Sequence, residues 1–149
     1  MVQVIIPGKP LALKRVRGYI HQGKIMFFDS QAKEKRHVIN AIKKSLSDLI
    51  NWETLENLEE TRSLLKCDQF FVSLDFHMPL PIKLNLSKKN AILSGVSKFN
   101  KKPDIDNLVK FYLDCSNGIL FPDDRMIIQL QASKIYSKEP KTIITVTPF

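Results

Sequence analysis

Phe70, Val72, Leu74 and Phe76 recur at every second position, with Ser73, Asp75 and His77 between them, before Pro79-Leu-Pro81 stops the run. A side-chain period of two with one apolar face is the pattern of a strand that covers a core on one side. Elsewhere the period changes. Val38, Ile42, Leu46, Leu49 and Ile50 repeat at helical spacing over residues 31–50, which predicts an amphipathic helix. Asp29-Ser30 offers its N-cap, with Glu34 close to the capping-box position.

Shorter segments fill in the rest. Val2-Gln-Val-Ile-Ile6 reads as a first strand stopped by Pro7-Gly8, and residues 18–21 and 24–28 flank Gln22-Gly23 as a hairpin. Residues 53–65 alternate leucines and acids and read as a second helix or an acidic loop. Residues 82–103 form a long polar, basic stretch with a short helix over 87–93. A helix over 104–116 ends at Asn117-Gly118, and strands over 126–136 and 141–146 are expected to pair across 137–140. The expected fold class is a single α+β domain over residues 1–149, a mixed or antiparallel sheet with two or three helices.

Several classes are excluded by composition. At 149 residues and 44% hydrophobic content the chain is long and apolar enough for one packed core. No apolar run approaches the ~18–20 residues that span a bilayer, so no membrane association is expected. The first residues have no positive n-region and no small-residue cleavage site, so no signal peptide is expected and the location is read as cytoplasmic. Cys67 and Cys115 stand far from any other cysteine, and His21, His37 and His77 are scattered, which argues against a disulfide scaffold or a zinc site.

Charge is distributed unevenly. Of the net +8, residues 1–50 carry +7, from ten Lys/Arg against three acids. The tightest basic cluster is Lys14-Arg15-Val16-Arg17, joined by Lys9 and Lys24. A positive surface of this kind suits a polyanion, most often nucleic acid, although a solvated lysine-rich face has the same composition.

Against that basic background five aspartates fall within 21 positions: Asp104, Asp106, Asp114, Asp123 and Asp124. Asp104 and Asp106, two apart at a loop-to-helix junction, can turn toward one point, and Lys110 lies one turn beyond Asp106 on the same helical face. Clustered carboxylates need a cation to offset their repulsion. Oxygen-only donors point to a hard divalent ion, Mg²⁺ or Mn²⁺. Asp123-Asp124, set by the turn at Gly118 and Pro122, can return a third carboxylate to the same ion. Each residue also has a plainer explanation: Asp104 as an N-cap, Asp106 as a first-turn acid, Asp123-Asp124 as turn residues. Carboxylate-bound Mg²⁺ beside a basic surface is the arrangement of phosphodiester hydrolysis.

The run Lys102-Pro-Asp-Ile-Asp-Asn-Leu-Val-Lys110, followed by Asp114, Asn117-Gly118 and Asp123-Asp124, resembles the signature of the RusA family, Holliday junction resolvases of bacteria and their prophages. Ile6-Pro-Gly-Lys-Pro10 with Lys14-Arg15-Val16-Arg17 resembles the family's N-terminal strand and basic loop. Ser87-Lys88-Lys89 through Gly95 resembles an insertion found in many members. The resemblance covers most of the chain and is weakest across 45–67.

It implies a small homodimeric α+β protein that binds four-way DNA junctions. Each subunit would nick one of two opposing strands by Mg²⁺-dependent hydrolysis, with Mn²⁺ as a possible substitute and no nucleotide cofactor. Asp104, Asp106 and Asp124 match the family's metal-binding aspartates, Asp123 the neighbouring acid, and Lys110 the catalytic-site lysine. Lys14, Arg15, Arg17, Lys88, Lys89, Lys101 and Lys102 are the expected DNA-binding residues. A non-catalytic DNA-binding module also fits the basic region but leaves the aspartates unused. A phosphotransferase of the Asp-x-Asp type fits less well, because Lys101-Lys102-Pro103, not an apolar strand, precedes the pair.

Overall fold

In the computed structural model, residues 1–14, 17–52, 66–83, 85–94 and 101–149 are described. The elements run β1 (Val2–Pro7), β2 (Arg17–His21), β3 (Lys24–Phe28), α1 (Ala32–Trp52), β4 (Phe70–Pro79), α2 (Leu86–Leu93), α3 (Ile105–Ser116), β5 (Ile127–Ser137) and β6 (Lys141–Pro148), with a 3-10 turn over Asp124–Met126. The segment 53–65, read above as helix or acidic loop, lies outside the described residues, as does Arg15.

The two-residue period of β4 becomes the centre of the core. Phe70, Val72, Leu74, Phe76 and Met78 are all buried, together with Val2, Val4 and Ile6 of β1 and Ile144 and Val146 of β6. α1 supplies Val38 and Ile42 to this layer, and α3 supplies Leu108, Phe111, Tyr112 and Cys115. Aromatic rings join helix to sheet, with Phe76 and Tyr112 centroids 5.5 Å apart and Phe111 edge-on to Tyr112 at 5.3 Å. Each such ring buried in full contributes roughly 1.5–3 kcal/mol of burial free energy. Burial also pushes the Cys115 thiol up to about 11, so it is a packing residue rather than a nucleophile.

The fold class is α+β, as expected, but one strand pairing differs. The four-stranded sheet has the order β1-β6-β4-β5, so β5 and β6 are not partners: β4 lies between them, parallel to β5 and antiparallel to β6. A period of two tells which face of a strand is buried and says nothing about which strand lies beside it. Here the longer connection decides. α3 must bury its apolar face on the sheet, and a helix between two strands packs back as a β-α-β crossover that sets them parallel. Residues 138–140 therefore cross the end of β4, and Gly8 N donates to Pro140 O at 2.9 Å where they do so. β2 and β3 form the expected hairpin as a separate two-stranded sheet, with Gln22 and Gly23 at φ 48° and 75°. Positive φ at both central residues gives the turn whose twist matches the strands, and glycine adopts it at no steric cost.

The start of α1 departs from a capping box. Asp29 Oδ1 accepts from Gln31 N at 2.8 Å, whereas Glu34 pairs with Lys14 at 3.5 Å. Lys35 joins the two helices, its Nζ 3.1 Å from Asp29 Oδ2 and 3.4 Å from Asp114 Oδ2. The Gln31 amide, and then Lys35, hold the Asp29 carboxyl below its ordinary value. Burial opposes the Lys35 ammonium, yet the two carboxylates outweigh it and raise its pKa. A depressed carboxyl pKa means stabilisation that is present above the unfolded value of 3.8 and lost as pH falls through the folded value. Asp29→Asn should therefore melt below wild type near neutral pH, and the difference should close in melts run well below pH 3.8.

Candidate active site

α3 has two faces with different roles. Leu108, Phe111, Tyr112, Cys115 and Ser116 are buried, whereas Asp106, Lys110 and Asp114 form an outward row at four-residue intervals. Asp114 is committed to Lys35, so it belongs to the α1–α3 contact. Asp106 is exposed, with Lys110 Nζ 4.0 Å from its Oδ2 and the Asn107 amide donating to its Oδ1 at 3.3 Å. A pair this open to water holds the two side chains together only weakly.

Asp104 occupies the N-cap position of α3 with extended backbone, and its carbonyl accepts from Leu108 N at 3.2 Å. Its side chain makes no capping hydrogen bond. An N-cap aspartate ordinarily accepts from the second or third helical amide. This one makes no such bond and is exposed, two residues before exposed Asp106, and carboxylate oxygens are the donor chemistry of a hard divalent cation.

Basic segments converge on this corner. Leu13 N donates to Asn107 O at 2.8 Å and Leu11 N to Tyr112 Oη at 3.2 Å, so the Lys9–Lys14 stretch lies along α3. Gln31, only 1% exposed, secures it from the other side: Oε1 accepts from Lys14 N at 2.6 Å and Nε2 donates to Ala12 O at 3.0 Å. On the far side, Lys134 Nζ donates to Lys101 O at 3.0 Å and Pro103 O at 2.8 Å, holding the loop that carries Lys101, Lys102 and Asp104. Lys14, Lys101 and Lys102 are exposed at this rim, and Lys88 and Lys89 lie on α2, which packs against β5. Arg17 lies on β2.

The expected third carboxylate does not join them within one chain. α3 spans about 18 Å. At its C-terminal end Gly118, at φ 72°, turns the chain so that its N–H donates to Phe121 O at 2.8 Å, and Asp123-Asp124 follow there. Along β5, Lys134 is seven residues beyond Ile127, which is roughly 23 Å of strand. Asp104 and Asp124 thus sit toward opposite ends of the helix. Among the described residues no three His, Cys, Asp or Glu side chains gather closely enough to hold a metal ion. Asp123 caps the 3-10 turn, its Oδ1 accepting from Arg125 N at 3.0 Å, while the neighbouring Asp124 is exposed.

Gln31 and Lys134 were not anticipated from the sequence. Nothing marks Gln31, a polar residue at the start of a helix. Lys134 carries a signal: Leu130, Ala132 and Tyr136 alternate along β5 and Lys134 interrupts that apolar row, opposite buried Phe76. Replacing it by methionine should leave two carbonyls without their cationic donor, costing about 1.5 kcal/mol of stability. Amide exchange over residues 101–106 should accelerate while β1 and β6 keep their protection; unchanged exchange there would remove the anchoring role.

The sequence profile of the endodeoxyribonuclease RusA family matches residues 7–147. An uncharacterized Bacillus subtilis protein, YqaN, is 26% identical over 147 residues, covering 97% of this chain and 94% of that protein. With the match running from Pro7 through the aspartate-bearing helix and both final strands, the chain belongs to the RusA endodeoxyribonuclease family.

Proposed function

We propose that this protein is a Mg²⁺-dependent nuclease that resolves four-way DNA junctions in the cytoplasm, acting as a homodimer that makes paired, symmetric cuts. The observation that carries the reading is the Asp104 carboxylate, free of any capping bond two residues before exposed Asp106, at a corner approached by segments that carry exposed Lys14, Lys101, Lys102 and Lys110. Asp104 and Asp106 would hold Mg²⁺, or Mn²⁺ in its place. When bound, the ion supplies activation of water and neutralisation of charge on the phosphoryl oxygens. Lys110 would meet developing negative charge there, and its present contact with Asp106 is long and exposed. The lysines of the rim, with Arg15 and Arg17, would grip backbone phosphates, so binding should weaken steeply with added salt.

A two-fold protein suits a two-fold junction and two simultaneous cuts. The separation within one chain adds a second reason for a dimer. Asp124 reaches the Asp104–Asp106 corner only if another copy supplies it, with Asp123 beside it as a further acid.

A labelled synthetic four-way junction, matching linear duplex, Mg²⁺ and EDTA test the chemistry. Wild type should nick the junction in symmetric pairs and leave duplex intact, while Asp106→Asn should bind the junction and cut it at least ~100-fold more slowly. Equal cutting of duplex would leave a nuclease without junction specificity. Binding without cutting in either metal would make the protein a branched-DNA-binding module.

Mixed dimers test the shared site. Subunits carrying Asp104→Asn combined with subunits carrying Asp124→Asn should regain one nick per junction, because one of the two sites then has both aspartates intact. No recovery on mixing would place Asp104 and Asp124 in the same chain's site, and full cutting by the Asp124→Asn homodimer alone would make Asp124 dispensable.

A further inference from the structure

Ile82 and Leu86 are 94% and 74% exposed, the two most exposed large apolar side chains among the described residues. They project where β4 has been stopped by its prolines and α2 begins. Asn85 holds this turn in shape: its Oδ1 accepts from Lys88 N at 2.9 Å and its carbonyl from Lys89 N at 3.0 Å, which sets Leu86 in the first helical turn. Exposed apolar side chains grouped at one tip mark a contact surface.

Charge selects the partner. The 28 residues 76–103 contain six lysines and no acid, and Lys83, Lys88 and Lys89 lie within three residues of Ile82 or Leu86 along the chain. A second copy presenting the same tip would be repelled, whereas a polyanion with an apolar interior would be attracted. Position narrows it further. β4 and β5 leave the sheet at the same end, Pro79 opposite Ser137, and Lys134 holds the Lys101–Pro103 loop at that end. The tip and the Asp104–Asp106 corner therefore share one end of the sheet. Proteins that distort DNA insert aliphatic side chains between base steps while flanking cations hold the phosphates. Unstacking costs least where the stack is already interrupted, as it is at a branch point.

We propose that Ile82 and Leu86 form a wedge that enters the base stack at the junction's branch point, with Lys83, Lys88 and Lys89 on the adjoining phosphates. The proposal rests on the junction-nuclease reading and adds to it the element that opens the branch point. The wedge acts before any bond is broken, so it can be read without cleavage.

The test uses the intact protein in EDTA and a four-way junction carrying 2-aminopurine at the branch point, whose fluorescence rises on unstacking. Wild type should raise the signal, and Ile82→Ser with Leu86→Ser should return it at saturation to that of the free junction. The paired variant should also lose about tenfold in junction affinity relative to duplex. The conservative pair Ile82→Leu with Leu86→Met should keep the signal, and melting temperatures check that both pairs fold. Lys83→Gln with Lys88→Gln should weaken junction and duplex binding alike, flatten the salt dependence and preserve the signal at saturation. A wild-type signal from the serine pair would overturn the wedge. So would that pair losing affinity for anionic lipid vesicles while keeping the signal, which would make the tip a membrane contact. Cutting of the junction by wild type in Mg²⁺ with no rise in EDTA would sink the wedge alone, whereas failure of wild type to bind the junction would sink both readings.

Discussion

The packing of α3 on β4 is the contact on which the rest depends. Phe76 meets Tyr112, and Leu108 and Phe111 fill the layer beneath, so the helix cannot turn about its axis without losing its core. That rotational lock orients the opposite face. Asp106 and Lys110 point outward because Leu108, Phe111 and Tyr112 point inward, and the N-terminal position of Asp104 follows from where the helix starts. The crossover that carries α3 also sets β5 parallel to β4 and leaves β6 on β4's other side. One helix thus decides both the sheet order and the place of the acidic corner.

Around that corner, polar contacts do what apolar packing cannot do for loops. Backbone groups of the Lys9–Lys14 stretch find partners in Asn107, Tyr112 and buried Gln31 rather than in a strand. The loop before Asp104 rests on Lys134 through two carbonyls. Satisfying backbone donors and acceptors in this way gives irregular segments a defined course. It brings the segments of the basic rim to the helix that carries the acids. Among the described residues, the Asp106 carboxylate meets Lys110 in a loose pair, and Lys14 pairs loosely with Glu34.

The aspartates that read as one cluster along the chain divide into three roles in space. Asp104 and Asp106 make the open corner, Asp114 ties α3 to α1 through Lys35, and Asp123 caps a 3-10 turn beside exposed Asp124. Sequence proximity over 21 residues includes a rigid helix, and a helix converts proximity into separation.

Periodicity along the chain was enough to locate the strands of the core and α1, because burial on one face imposes a period that any neighbour would satisfy, and turn and cap residues located the hairpin at Gln22-Gly23 and the end of α3. The motif at Lys102–Lys110 likewise marked the acidic corner, since residue types and spacing within one helical turn translate directly into geometry. Neighbours across the sheet were beyond reach of that reasoning: alternation in β5 and β6 is the same whether they pair with each other or with β4. So were Gln31 and Lys134, whose partners lie 17 to 33 residues away. The sequence by itself determined the local elements, their buried faces and the outward row of charges on α3, since all three depend on spacing within a few residues. Tertiary structure alone decided the strand order, the loops brought to the corner and the separation of Asp124 from Asp104, because these depend on how a rigid helix of fixed length packs on a sheet.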